Sequence, residues 1–420
     1  MYNRRSFFRL TAGLTGAVVA ATNSLFGAQD TPSPIKQLKP MLDGIVPIRD
    51  EERWGRIAKA QRLMADNGIA AVFIEPGTSS FYYTGFRTWI SERMIGLVIP
   101  AKGELAWICP KFEEDRMREI IKFGTDIRTW EEDESPYKVV AGIIHDRGSR
   151  TGKIGIEERV RFFFADGIRK ETAGFEIESA DPVTAGCRMF KSSAEIALMQ
   201  RANDITIVAY RTASEMLKEG MTPAEFSAHV SAAFRALGVS GGASANFGPA
   251  SAFPHGSGQP QKLKQGDIIM MDGGCSVEGY QSDITRTIVF GTPTTRQRQI
   301  WDLAREAQDA GFAVAKLGAP CEAVDAAARK VIIDAGFGPG YKVPGLPHRT
   351  GHGIGLDGHE WTYMVKGNTM PLQPGMCFSD EPTIAIPGEF GVRHEDCVYM
   401  TEQGAKFFTA QSLSIDKPFG

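Results

Sequence analysis

Ile268-Ile269-Met270-Met271-Asp272-Gly273-Gly274 is the stretch on which the fold turns. Four consecutive apolar residues make a buried strand that delivers Asp272, and the two glycines mark a close backbone approach. The chain returns through Gly279-Tyr280-Gln281-Ser282 to Asp283, and residues 285–289 extend a second arm. Two aspartates eleven residues apart, one on each arm, converge on one point. A second pair has the same build. Residues 376–380 lead into Glu381-Pro382, and Gly391-Val392-Arg393-His394 leads into Glu395-Asp396. Between the pairs lies His352, in Gly351-His352-Gly353-Ile354-Gly355, where the flanking glycines let the backbone approach and aim the imidazole.

Any one of these acids alone would be an ordinary turn or surface residue. Together, in strand and glycine context, they form a ligand set. Four carboxylates balance the charge of two divalent ions, and without metal they would repel and some would take protons. Oxygen-dominated ligation with one His suits Mn, Co, Fe or Zn in hydrolytic use. It does not suit a Cys-type structural zinc or a copper site.

Outward from this core the chain has two parts. Over roughly 40–185, helix and strand alternate as in an α/β unit. Residues 50–67 carry a helical pattern, residues 70–74 are a buried strand closed by Pro76-Gly77, and apolar runs follow at 94–99 and 104–109. Residues 154–156 and 161–164 continue the alternation. Near 190 the pattern changes. Ser192 with Glu195 is a capping-box pair opening a helix to about 218, and Thr222-Pro223-Ala224-Glu225 opens the next. Further helices are predicted over 294–316 and 321–335, with strand-like runs and Gly-rich turns between them, so the second part is α+β with antiparallel pairs. The cluster Gly336-Phe337-Gly338-Pro339-Gly340 is a helix cap and turn, not a phosphate loop. The division is residues 29–49 as an arm, 50–187 as the first domain and 188–420 as the second.

The chain has 420 residues, 42% apolar and 23% charged, with a formal charge of −3. This excludes full disorder and gives no basic block for nucleic acid. No apolar run reaches the roughly 18 residues of a membrane span. Residues 1–28 read as an export signal: Arg4-Arg5-Ser6-Phe7-Phe8, then a mild apolar stretch over 10–21, with Ala28 as its end. The Arg pair is of the twin-arginine type, a route that accepts folded protein, and the periplasm is the expected location. Without residues 1–28 the charge becomes −6. The six cysteines show no CxxC and are read as small buried hydrophobes.

These motifs resemble the pita-bread metallohydrolases, the family of methionine aminopeptidase, aminopeptidase P, prolidase and creatinase. The resemblance covers about 190–405, and the first domain, with Tyr82-Tyr83-Thr84-Gly85-Phe86, is similar to that of the creatinase and prolidase branch. It implies an α+β pita-bread catalytic domain preceded by a smaller α/β creatinase-like N-terminal domain. It implies Asp272, Asp283, His352, Glu381 and Glu395 as ligands of two divalent ions, Mn first, with Co, Zn or Fe as alternatives, and Asp283 bridging or bidentate. His255 in Pro254-His255-Gly256 matches the upstream active-site His, and His359 the His that contacts the reacting carbonyl. His348 and Arg393 match positions behind the ligands, Arg393 also reading as a plain carboxylate clamp. His394 receives no role.

The chemistry implied is metal-assisted hydrolysis, with Glu381 as ligand and proton shuttle, His359 at the oxyanion and His255 at the scissile group or leaving amine. The expected substrate is a short peptide cut before Pro in its second position. The two-domain length fits aminopeptidase P and prolidase better than methionine aminopeptidase. The intact ligand set sets the chain apart from creatinase, which works without this metal chemistry. Thr383-Ile384-Ala385-Ile386-Pro387 departs from many peptidase relatives, which leaves open a non-peptidase member acting on a small amide, guanidino or sulfonium compound. An inactive binding protein is the reading of another class. A homodimer is implied by the resemblance, with residues 81–89 as the local candidates for contact; the alternative is that Phe81, Tyr82 and Phe86 fill their own core.

Overall fold

Strand β1 (Ile69–Ile74) organises the first half of the molecule, a computed structural model that describes residues 34–420. The export signal expected over 1–28 lies outside the described residues, as does the start of the 29–49 arm. β1 is central in a six-stranded mixed sheet of order β4-β3-β2-β1-β5-β6, with β2 Gly96–Pro100, β3 Ala106–Pro110, β4 Asp126–Trp130, β5 Gly152–Ile156 and β6 Phe175–Ser179. β1 runs parallel to β5 and antiparallel to β2. Its residues alternate between two cores. Val72 and Ile74 pack with Ile57, Ala60 and Met64 of helix Asp50–Asn67, while Ala71 and Phe73 pack with Val140, Ile143 and Ile144 of helix Pro136–Asp146. A strand covered on both faces has no polar side, which explains its continuous apolar run. β2 and β3 each begin two residues later than their apolar runs. Met94, in the first run, is already fully buried in the approach to β2, so apolarity there reports burial and not pairing.

Tyr82 and Phe86 are core residues of this half, at 3% and 4% exposure. Of the 81–89 segment, Trp89 is the large apolar side chain left outside, at 52%. The six cysteines are free and buried.

The second half is built on antiparallel pairing, as expected. β7 (Gly241–Phe247), β8 (Ile268–Val277) and β10 (Ile284–Val289) form one sheet in the order β10-β8-β7, with the short β9 (Tyr280–Gln281) folded onto the end of β8. A second sheet has the order β12-β11-β13-β16-β17: β11 Gly351–Gly353, β12 Glu360–Met364, β13 Cys377–Asp380, β16 Asp396–Thr401 and β17 Gly404–Phe407. A two-stranded ribbon of β14 (Thr383–Ile386) and β15 (Phe390–Arg393) springs from it. Helices Ser193–Ser214 and Pro223–Ala236 begin with the capping boxes read from Ser192/Glu195 and Thr222/Glu225. The first ends four residues short of 218, where Met216 N–H and Leu217 N–H bond back three residues and tighten the last turn. Helices Thr295–Val314 and Cys321–Asp334 close the other side. Gly336, at φ +90°, follows the second as a left-handed turn. The two sheets touch at one isolated bridge, Thr285 to Glu395, and the acidic residues gather there. Among the described residues no helix is long and apolar enough to cross a membrane.

Candidate metal centre

Pairing parity brings the two aspartates together. β10 is antiparallel to β8 with Thr285 opposite Asp272, so Asp283, two residues before Thr285, faces the same side as Asp272. Asp380 pairs with Asp396 across β13 and β16, which sets Glu381 and Glu395 at matching exits from these strands. His352 sits on β11, beside β13. A Cβ on Gly351 would lie 1.8 Å from the Ser379 carbonyl oxygen, so only glycine lets β11 come this close.

Ligand atoms of Asp272, Asp283 and Glu395 lie within 4.8 Å of one another, as do those of His352, Glu381 and Glu395 and those of Asp283, His352 and His359. His352 Nε2 is 3.3 Å from Glu381 Oε1 and 3.8 Å from Asp283 Oδ2. The five side chains singled out in the sequence are therefore one cluster. His359 joins it, its ring stacked on that of His352 with centroids 3.7 Å apart.

The electrostatics are those of an uncompensated anion cluster. Burial pushes the Asp283, Glu381 and Glu395 carboxyls well up, and their neighbours push further: Asp272 on Asp283, Glu395 on Glu381, Asp283 on Glu395. Asp272 is the exception. Burial raises it too, but Arg393 and the hydrogen bond from Thr285 hold it below the usual range. Burial lowers His352 to about 3, with His359 adding to it, so the imidazole is neutral and has a lone pair to give. His359 is lowered by burial and then by the charge of Arg349. Buried oxygen donors in excess of local positive charge, with a neutral imidazole among them, fit divalent cations.

Arg393 proves to be a clamp. Its guanidinium is 2.6 Å from Asp272 Oδ2, donates to Thr285 Oγ1 at 2.8 Å, and stands 3.8 Å from Glu395 and 4.0 Å from Glu381. His348 holds the ribbon: its Nε2 is 2.8 Å from Thr383 Oγ1, and burial followed by Arg393 lowers it to about 4. His255 stands apart from the ligand groups. It is exposed beside Asn246 in an open cavity of about 600 Å³. His394, given no role, is fully buried against Trp301, its Nε2 3.2 Å from the Trp301 carbonyl.

Three features escaped the sequence. Thr285 donates to Asp272 Oδ1 at 2.8 Å and lies 2.6 Å from Glu395 Oε2, tying ligands from both sheets. Ser379 donates to Glu381 Oε1 at 3.1 Å. The third is a clamp from the first half of the molecule onto the turn that carries His359. Asp357 accepts from Thr78 Oγ1 at 2.7 Å and from Arg188 at 2.6 Å, with Arg159 at 3.0 Å, while Glu360 pairs with Arg188 at 2.5 Å and Lys191 at 3.0 Å. Alternation along β10 could have suggested Thr285; no local signal announces the clamp.

Comparison with known proteins covers both halves of the chain. Residues 197–402 match the model of metallopeptidase family M24, and residues 56–190 that of the creatinase/prolidase N-terminal domain. A probable dipeptidase PepE of Mycobacterium bovis is 35% identical over 83% of this chain and 92% of its own. An Xaa-Pro dipeptidase of Lactobacillus delbrueckii subsp. lactis is 30% identical over 85% and 97%. The crystal structure of dipeptidase PepE from Mycobacterium ulcerans superposes with a TM-score of 0.80 at 32% identity, covering 87% of this chain and 97% of that one.

Proposed function

The chain belongs to metallopeptidase family M24, in the branch that carries the creatinase/prolidase N-terminal domain, and from that premise we propose that it hydrolyses the bond before proline in short peptides, using two divalent ions. The observation that carries the reading is the convergence of Asp272, Asp283, His352, Glu381 and Glu395 from two sheets onto one cluster. These five residues would hold the ions, which supply Lewis acidity toward a peptide carbonyl. Mn is the ion proposed: the donors are mainly hard carboxylate oxygens with one imidazole.

The protein's own groups do the rest. Glu381 takes the proton of the attacking water and passes it to the leaving nitrogen. His359, neutral and stacked on His352, offers a hydrogen bond to the carbonyl oxygen as charge builds there. His255, on its exposed loop, meets the leaving side of the substrate. Arg393 and Thr285 keep Asp272 ionised and in place. A panel of Xaa-Pro dipeptides and Xaa-Pro-Xaa tripeptides, read after chelation and again after Mn is returned, tests the proposal. Cleavage is expected only with metal. A metal-loaded protein that cleaves none of them would move the function to a non-peptide substrate of the same family.

We also propose export to the periplasm by the twin-arginine route, on the strength of Arg4-Arg5-Ser6-Phe7-Phe8 and the apolar stretch behind it, and a homodimer. Exposed Trp89 and Ile90, at 52% and 56%, support a contact there. Fractionation of cells with Arg4 and Arg5 changed to Lys, and sedimentation over a range of concentrations, are the respective tests. Unchanged export, or a fully active monomer at every concentration, would reject them.

A further inference from the structure

Asp283 differs from the other ligand carboxylates in how it is held. Thr285 and Arg393 fix Asp272, Thr285 also fixes Glu395, and Ser379 fixes Glu381. Among the described residues nothing donates a hydrogen bond to the Asp283 carboxylate, yet it belongs to two of the three groups of ligand atoms that lie within 4.8 Å. With no partner on its side chain, Asp283 depends on its backbone for its place. That backbone returns along β8 after the two-residue turn Glu278-Gly279, in which both residues have positive φ, 51° and 89°. Glu278 is the one non-glycine residue with positive φ among the described residues, so the turn needs holding from outside.

The holding comes from behind. Asp283 faces the cluster, and alternation turns Tyr280, Ser282 and Ile284 to the opposite face, against helix Ser193–Ser214. Three buried bonds join arm and helix. The Tyr280 hydroxyl donates to Glu195 Oε1 at 2.8 Å, Ser282 Oγ lies 2.8 Å from Thr206 Oγ1, and the Tyr210 hydroxyl donates to the Ile284 carbonyl at 3.1 Å. The first of these is tied to the other half of the molecule. Arg56, on helix Asp50–Asn67, donates to the Tyr280 hydroxyl at 3.0 Å and to the Tyr82 carbonyl at 2.8 Å, and pairs with Glu195 at 3.3 Å. Arg56, Glu195 and Tyr280 are all buried, so water does not compete for these bonds. We propose that Tyr280 and Arg56 are positioning residues for Asp283: they fix the arm that carries it, and so make the first half of the chain part of the metal centre. The proposal rests on the two-ion reading above.

The test uses the full chain carrying Tyr280→Phe, which removes one hydroxyl and keeps the ring. Chelated protein is titrated with Mn by calorimetry, and the loaded protein is read by electron spin resonance for the coupled signal of two Mn ions that share a ligand. Loss of an outer partner of this kind weakens metal binding by about ten- to a hundredfold. That loss of Mn affinity is expected, with a weaker coupled signal at fixed Mn and a fall in kcat that leaves KM for Ala-Pro where it was. Arg56→Lys, which keeps the charge and loses the fork, should fall between Tyr280→Phe and the unaltered protein. Thr206→Val unties Ser282 beside Asp283 and should weaken Mn binding similarly; it carries the test if Tyr280→Phe does not fold. A lower Tm of the chelated variant with unchanged Mn affinity and coupled signal would mean that Tyr280 only joins the halves, and overturns the inference alone. Failure of the unaltered protein to take up Mn removes the two-ion reading, and this inference with it.

Discussion

Two groups of buried acids lie on either side of His359, and they are opposites. In one, Glu360 and Asp357 meet Arg188, Lys191 and Arg159. Burial works against the Glu360 carboxylate, yet Lys191 and Arg188 hold it down at about 2. That group is electrically complete. In the other, four carboxylates share one cation, Arg393, and three of them are pushed far up by burial and by each other. That group is complete only with further positive charge. Burial is common to both, so burial alone does not mark a site; the sign of the imbalance does.

Supplying or withholding metal should break the contrast most completely. Chelation is expected to abolish turnover, and return of Mn to restore it. Bound ion at a thousandfold excess over Kd would also stabilise the fold by about 4 kcal/mol, seen as a rise in Tm by calorimetry. Glu381→Gln should lower kcat by about a thousandfold or more and weaken metal uptake in the same protein, as titration calorimetry would record. The complete group breaks differently. Arg188→Met leaves Glu360 and Asp357 short of positive charge and should destabilise the fold by about 3–5 kcal/mol in denaturant titrations, with little effect on metal affinity. Thr285→Val removes hydrogen bonds to two ligands and should weaken metal binding by about ten- to a hundredfold with the fold intact.

The smallest effect is in the pH dependence, and the two groups should respond with opposite sign. Glu360 has a folded value below its ordinary 4.5, so its contribution is present above that value and is lost as pH falls toward 2. Asp283, Glu381 and Glu395 have raised folded values, so in chelated protein their contribution is present in acid and is lost as pH rises through those values. Stability curves of chelated and Mn-loaded protein should therefore diverge toward neutral pH. Parallel curves would mean that the carboxylates do not carry the imbalance described.

What could be read from the sequence follows from where the information lies. Asp272, Asp283, Glu381 and Glu395 stand at strands and strand exits bounded by glycine, so alternation and turn chemistry expose them, and the same local signals mark the helices capped by Ser192 and Thr222. The clamp on the His359 turn joins Arg188 to Asp357 across 169 positions, and nothing near either residue announces the other. Tyr82 and Phe86, candidates for a surface contact, turned out to be core because an apolar cluster in sequence does not say which side of it meets solvent.

The Asp357 clamp bears on how such a protein can be inherited. Thr78, Arg159 and Arg188 fall within the stretch matched by one family model, and Asp357 and Glu360 within the stretch matched by the other. A second half transplanted without its own first half would carry open acids beside the histidine it needs most. A foreign first half would have to bring a hydroxyl and two guanidinium groups to the same places. The boundary between the halves is thus a poor site for recombination, and the two are bound to diverge as one piece.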